Sequence, residues 1–186
     1  AATSILDPDQ LLRQTVELIT NRFGFYYTAV FVLDEENQMA VLRAATGEAG
    51  SVLLERGHHL VLNEASMVGG AIITGRARVA LDVGEGAVRF ANPLLPNTRS
   101  EIALPLRVGD RPLGALDVQS EQPGAFDESS TEVLQTMADQ VAVALFNAET
   151  FKRSEEQTYA MTQLNQLSRN LATAASLADI ALTVQP

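Results

Sequence analysis

The feature that most constrains this chain lies past its midpoint, where Ile102, Leu104, Leu106 and Val108 occupy every second position, Gly109-Asp110 follows, and residues 113–118 resume an apolar run. Successive strand residues point to opposite faces, so this alternation puts all four aliphatic side chains on one side of an extended strand. A Gly-Asp pair between two such runs suits a tight turn, and residues 102–118 are predicted to form an antiparallel hairpin. A hairpin with one apolar face is not stable alone, so the remainder of the chain must cover it.

Helical signals flank the hairpin on both sides. Asp7-Pro8 is a capped helix start, Leu12, Val16, Ile19 and Phe23 fall on one helical face, and Gly24 ends the pattern. Asp127 caps a second helix in which Leu134, Met137, Val141, Ala144, Ala148 and Phe151 recur at spacings of three and four. Residues 152–158 are polar, and a second seam of Ala160, Leu164, Leu167, Leu171, Ala174 and Ala178 then begins out of phase with the first. One helical run therefore asks for two partners.

Between these helices, residues 25–33 and 39–45 flank the turn 34–37 and are expected to pair as another hairpin. Residues 47–57 suit a short helix ended by Gly57, and residues 58–62 a short strand with Leu60 and Leu62 on one face. Residues 66–74 suit a helix that turns Val68, Ile72 and Ile73 to a core and is closed by Gly75, with a short strand at 78–82. The connection 84–98 holds Gly84, Gly86, Pro93 and Pro96 but also Phe90, Leu94 and Leu95, an apolar content that suggests a covering role. This order argues an α+β fold, a mainly antiparallel sheet with helices packed on it.

Composition removes several functions. With 46% apolar and 19% charged residues in 186, a packed core is expected. No apolar run approaches the ~20 residues that span a bilayer, and the start shows no basic region followed by an apolar stretch. No membrane insertion and a cytoplasmic location are expected. The absence of Cys excludes disulfides, thiolate metal sites, cysteine nucleophiles and thioether-linked cofactors. A net charge of −10, from 13 Lys and Arg against 23 Asp and Glu, opposes binding to nucleic acid.

The run Ser100-Glu101-Ile102-Ala103-Leu104-Pro105-Leu106, then Gly109, then Leu113-Gly114-Ala115-Leu116-Asp117-Val118-Gln119-Ser120, Phe126, and Leu134 through Gln140 to Ala144 resembles the C-terminal half of the GAF domain, a sensory module of bacterial signalling proteins. Ser66-Met67-Val68-Gly69 with Gly75 and residues 79–82 resembles its mid-domain helix and following strand. The resemblance covers residues 8–150, leaving a tail at 1–7 and a helical connector at 151–186 that looks like the opening of a further module. It implies a central antiparallel sheet with helices on both faces, the first and last on one face and a ligand pocket on the other. It also implies homodimers through the terminal helices and a downstream output domain in the full-length chain.

The resemblance further suggests where a ligand would bind. Asp82, Arg99 and Asp117 stand at or near strand ends that the family arranges around its pocket, against a surface or turn role. Val68, Ile72, Leu81, Phe90 and Ile102 can line that pocket, or serve as ordinary core. Gly69-Gly70 can admit an anion at a helix start, or can permit close packing. The family's methionine sulfoxide reductase branch works through cysteines, which this chain lacks, and the Asn-Lys-Phe-Asp-Glu pattern of its cyclic-nucleotide subclass is not found.

The expectation is a non-enzymatic regulatory sensor that binds a small molecule and relays a change through its terminal helices; neither ligand nor cofactor is named by the sequence. Two alternatives stand beside it. One is a dimerisation and spacing module without ligand; the other is a haem-based gas or redox sensor using His58 or His59, the only histidines, which can equally be residues of a half-exposed strand edge.

Overall fold

The computed structural model describes residues 7–34, 36, 38–83 and 92–183, with side chains as far as residue 170. The chain divides into two compact units, residues 1–148 and 149–186. In the first unit, α1 spans Pro8–Phe23, β1 Tyr27–Asp34, β2 Met39–Ala45, α2 Gly47–Glu55, β3 His59–Val61, α3 Met67–Thr74, β4 Arg78–Ala80, β5 Ser100–Val108 and β6 Arg111–Ser120; α4 spans Glu128–Thr183. Among the described residues the strands form one sheet in the order β3-β2-β1-β6-β5-β4, and every neighbouring pair is antiparallel.

The local signals act as their chemistry dictates. The Asp7 side chain accepts from the Asp9 N–H at 3.2 Å and opens α1, while Gly24, at φ 70°, closes it in a left-handed conformation that a Cβ disfavours. Asp127 caps α4 by accepting from the Ser130 N–H at 2.7 Å. Gly109, at φ 59°, turns β5 into β6. At Gly114 a side chain would collide with the Phe31 carbonyl of the adjacent strand, so glycine there is a requirement of β1–β6 pairing.

Period-two alternation separates the sheet into two faces. Val30, Ile102, Leu104, Leu106, Leu116 and Val118 pack with Leu12, Val16 and Ile19 of α1 and with Leu134, Ala138, Val141, Ala142 and Leu145 of α4. Each fully buried aliphatic side chain of this kind is worth roughly 1.5–3 kcal/mol relative to exposure. On the other face, Tyr27, Ala29, Phe31, Ala103 and Ala115 meet Leu53 of α2, Val68, Ala71 and Ile72 of α3, and Leu95.

A bulge in β2 adjusts this arrangement. Val30 pairs with Ala44 but Phe31 with Leu42, so Arg43 is the extra residue; Leu42 falls on the α2–α3 side and Ala44 on the α1–α4 side. The exposed Arg43 guanidinium reaches Asp9 of α1 at 2.7 Å. Thr20 of α1 donates to Thr28 of β1 at 2.7 Å, and the Thr28 N–H donates to Thr46 at 3.0 Å, fixing where α1 crosses the sheet.

Three expectations need correction. Ile73 is 45% exposed rather than core-facing, because one residue beyond Ile72 turns the helix by about 100° away from the sheet. The short strand begins at His59, not His58, and the other short strand ends at Ala80, two residues earlier than expected. In the second unit, Tyr159, Met161, Leu164 and Leu167 are exposed along the helix.

Candidate functional site

The face of the sheet beneath α2 and α3 does not pack solid. A cavity of about 690 Å³ lies there, walled by Tyr27 and Phe31 of β1, Leu53 of α2, Met67 and Val68 of α3, and Leu94 and Leu95 of the segment before β5. Beside it the strands carry small residues: where the opposite face has Leu, Ile and Val, this one has Ala29, Ala103 and Ala115, fully buried in one cluster with Val68, Ala71 and Ile72 of α3.

Polar groups converge on the same space. Glu101 of β5 and Asp117 and Gln119 of β6 line the cavity, and the two acids are buried, 8% and 3% exposed. Glu101 stands opposite Gln119 and Ala103 opposite Asp117, so the carboxyls are diagonal neighbours on one face. The Gln119 amide is oriented from both ends: Thr98 donates its hydroxyl to Oε1 at 2.7 Å, and Nε2 donates to Asp117 Oδ2 at 2.8 Å. Asp117 Oδ1 is buried with no amide or hydroxyl donor, and the group able to give it a proton is the Glu101 carboxyl.

Burial dominates the acidity of this cluster. It pushes the Asp117 carboxyl up to about 6, against the opposing pull of hydrogen bonds from Gln119 and Glu101. Glu101 is raised well above the usual carboxylate range by burial first, then by the charge of Asp117 and the hydrogen bond to it. Of the two, Glu101 is the acid that more readily keeps a proton and Asp117 the one that more readily carries the charge. Burial, then the Asp117 charge, also raises Tyr27, which stays a neutral phenol. His58, half-buried on the cavity wall and in edge contact with Phe31 at 6.1 Å, is lowered by burial and by neighbouring His59, so its imidazole is neutral at pH 7. His59 is exposed and places Nδ1 3.0 Å from the Gly57 carbonyl.

The structure brings together only some of the residues expected at a pocket. Val68 and Asp117 line the cavity, and Ile72 is buried in the same apolar cluster. Ile102 points to the opposite face, into the α1–α4 core, as strand alternation requires of the residue next to Glu101. Leu81 is 57% exposed. Asp82 and Arg99 form an exposed ion pair at 3.1 Å, away from the lining. Phe90 lies outside the described residues. Glu101, Tyr27 and Gln119 line the cavity without having been expected there.

Gly69 and Gly70 serve close packing. A Cβ on Gly69 would stand 2.7 Å from the Asn63 backbone, and one on Gly70 2.7 Å from the Glu64 carbonyl, so α3 sits directly on the segment preceding it. Among the described residues no group of three or more His, Asp or Glu side chains is placed to hold a metal. No helix among them is long and apolar enough to cross a membrane. What the cavity offers chemically is an apolar enclosure with an acidic floor, suited to holding a hydrogen-bond donor.

An antiparallel sheet layered by helices on both faces, with such a cavity under one pair, defines a small α+β module of the sensory type. A family model described as GAF domain matches residues 5–145, and the chain belongs to that family of regulatory sensor modules. Among solved structures, the GAF domain of an Acinetobacter phosphoenolpyruvate-protein phosphotransferase is 22% identical, with a TM-score of 0.67 over 81% of this chain and 89% of that one. A free methionine-R-sulfoxide reductase from Neisseria meningitidis, solved with its substrate, is 24% identical, with a TM-score of 0.66 over 81% and 84%. The GAF domain region of a putative membrane protein from Geobacter sulfurreducens is 23% identical, with a TM-score of 0.61 over 75% and 93%. Curated protein sequences give no match. At these identities the likeness carries the fold, and the fold is shared by sensors and by enzymes.

Proposed function

We propose that this chain is a non-enzymatic sensor that binds a small molecule in the cavity beneath α2 and α3 and relays its occupancy through α1 and α4. The observation that carries this reading is the cavity itself: about 690 Å³, apolar on its walls, with Glu101, Asp117 and Gln119 converging on it. Pockets of this size with a few placed polar groups are what ligand sites look like. Strands β5 and β6 supply a route for the relay, since they carry Glu101 and Asp117 on one face and Ile102, Leu116 and Val118 against α1 and α4 on the other. A ligand shifts the helices only if it binds one arrangement better than another.

A homodimer is part of the proposal. Leu18, Phe23, Val133 and Val143 are exposed apolar residues on α1 and α4 of the first unit, and Leu164 and Leu167 in the second unit belong to a seam of its own that a copy of the same helix would cover. A downstream output domain would receive the change. Lack of cysteine supports a sensor over a thiol-dependent enzyme.

Native mass spectrometry of freshly purified protein, with its absorption spectrum, tests the reading. We expect a dimer that carries, or takes up from a metabolite mixture, a small molecule released on denaturation. A protein that stays empty against such a mixture would support the spacing-module alternative and sink the sensor. His58 on the cavity wall makes haem testable in the same spectrum, where an intense haem absorption band lost in His58→Ala would replace the present reading. Identical interhelix distances with and without ligand would refute the relay.

A further inference from the structure

The cavity floor carries two buried carboxyls, and among the described residues no ion pair is formed with either of them. The ion pairs of Arg13, Arg43, Arg99 and Arg107 lie elsewhere, on exposed side chains. Asp117 is buried, lines the cavity, and keeps Oδ1 without an amide or hydroxyl donor while Gln119 occupies Oδ2. A buried charge in a native protein is almost always paired, so a carboxylate on a cavity floor whose lining neighbours are a second carboxyl and an amide marks where a cation belongs.

The surroundings narrow what that donor is. Of the groups facing the pair, β1 contributes the neutral phenol of Tyr27, β6 the Gln119 amide already engaged at both ends, and the turn after α2 the neutral His58 and the exposed, unpaired Arg56. Lining residues from α3 and from 92–95 have no titratable side chain. An anionic ligand head would meet two carboxyls; a hydroxyl would supply one donor and no charge. An ammonium group supplies three donors and the missing charge together.

We propose that the cavity takes a small organic cation, a protonated primary amine with an apolar body, whose N–H groups donate to the carboxyls of Asp117 and Glu101. This rests on the reading of the cavity as a ligand site. The apolar body packs against Phe31, Leu53 and Leu95, and the ammonium faces the charge on Asp117 while the proton of the pair stays on Glu101, so one positive charge meets one negative charge.

Methyl-resolved NMR of the 186-residue chain, titrated at pH 7.5 with 2-phenylethylamine and with its neutral counterpart 2-phenylethanol, tests this. The expected result is that both probes shift the methyl signals of Leu53, Val68 and Leu95, with the amine binding at least about tenfold tighter, as charge-assisted hydrogen bonds over neutral ones imply. That preference should collapse in Asp117→Asn and persist in Glu101→Gln, which keeps the Asp117 charge. It should also collapse in the unaltered protein at pH 5, where Asp117, with its pKa of about 6, is protonated and the amine still charged; this arm needs no variant to fold. If the alcohol binds as tightly as the amine, or the preference survives Asp117→Asn, the cation proposal is wrong and the ligand cavity stands. If neither probe moves those methyls, cavity and proposal fall together.

Discussion

The two faces of β1, β5 and β6 are made from one backbone and filled by opposite rules. Toward α1 and α4 stand Val30, Ile102, Leu104, Leu106, Leu116 and Val118; toward α2 and α3 stand Ala29, Ala103 and Ala115, interspersed with Glu101, Asp117 and Gln119. The first face is solid core and the second holds a cavity of about 690 Å³. The difference teaches that stability and recognition are assigned to alternate residues of the same strands. One face can be tight enough to hold the fold while the other keeps buried acids that no stability argument would select.

The sharpest way to break this division is to shorten a side chain on the solid face. Leu104 is fully buried, and Leu104→Ala is expected to cost about 3 kcal/mol of unfolding free energy, the range for large-to-small core changes, read by urea denaturation. A cost below about 1 kcal/mol would mean that this face is not the main store of stability.

The cavity face should respond with the opposite sign. Asp117 has a folded pKa of about 6 against an ordinary 3.8, so its burial favours the folded state fully below about pH 4, and that advantage is lost as pH rises to about 6. Asp117→Asn removes the charge and keeps an acceptor for Gln119. At pH 7.5 it should stabilise the protein by an amount on the order of 1–3 kcal/mol, with the difference vanishing near pH 4. Denaturation curves at the two pH values check this, and a destabilised variant at pH 7.5 would erase the contrast between the faces.

The smallest effect is expected outside both faces. Arg99 and Asp82 form an exposed pair, and solvent screening leaves such pairs little net value, so Arg99→Ala should leave the melting temperature and the probe affinities unchanged. A loss of probe binding would extend the site to a residue the cavity does not include.

Much of this architecture was legible in the chain itself. Caps at Asp7 and Asp127, the left-handed glycines Gly24 and Gly75, and the alternation from Ile102 to Val108 are local signals, and each element they announce is present. The alternation even fixed that Ile102 and Leu104 share a face. What it could not say is which face meets helices and which is left open, because that depends on where α1, α3 and α4 land. For this reason Ile102 was expected at the pocket and lies behind it. Glu101 was overlooked because a charged residue beside an aliphatic one in a strand has the pattern of a solvent face; its clue was that Ser100 to Leu106 contains one charge in seven residues, the composition of a strand covered on both sides.

The alanines at 29, 103 and 115 also bear on how such a chain can change over generations. Because they are packed in the α2–α3 cluster and not in the one that holds the sheet to α1 and α4, enlarging one by a methylene or two would press on the helices that roof the cavity and reshape what fits above the sheet while leaving the scaffold's foundations alone. A lineage built this way can try new chemical signals by single substitutions, and its sequences can drift far apart while their backbones stay superimposable.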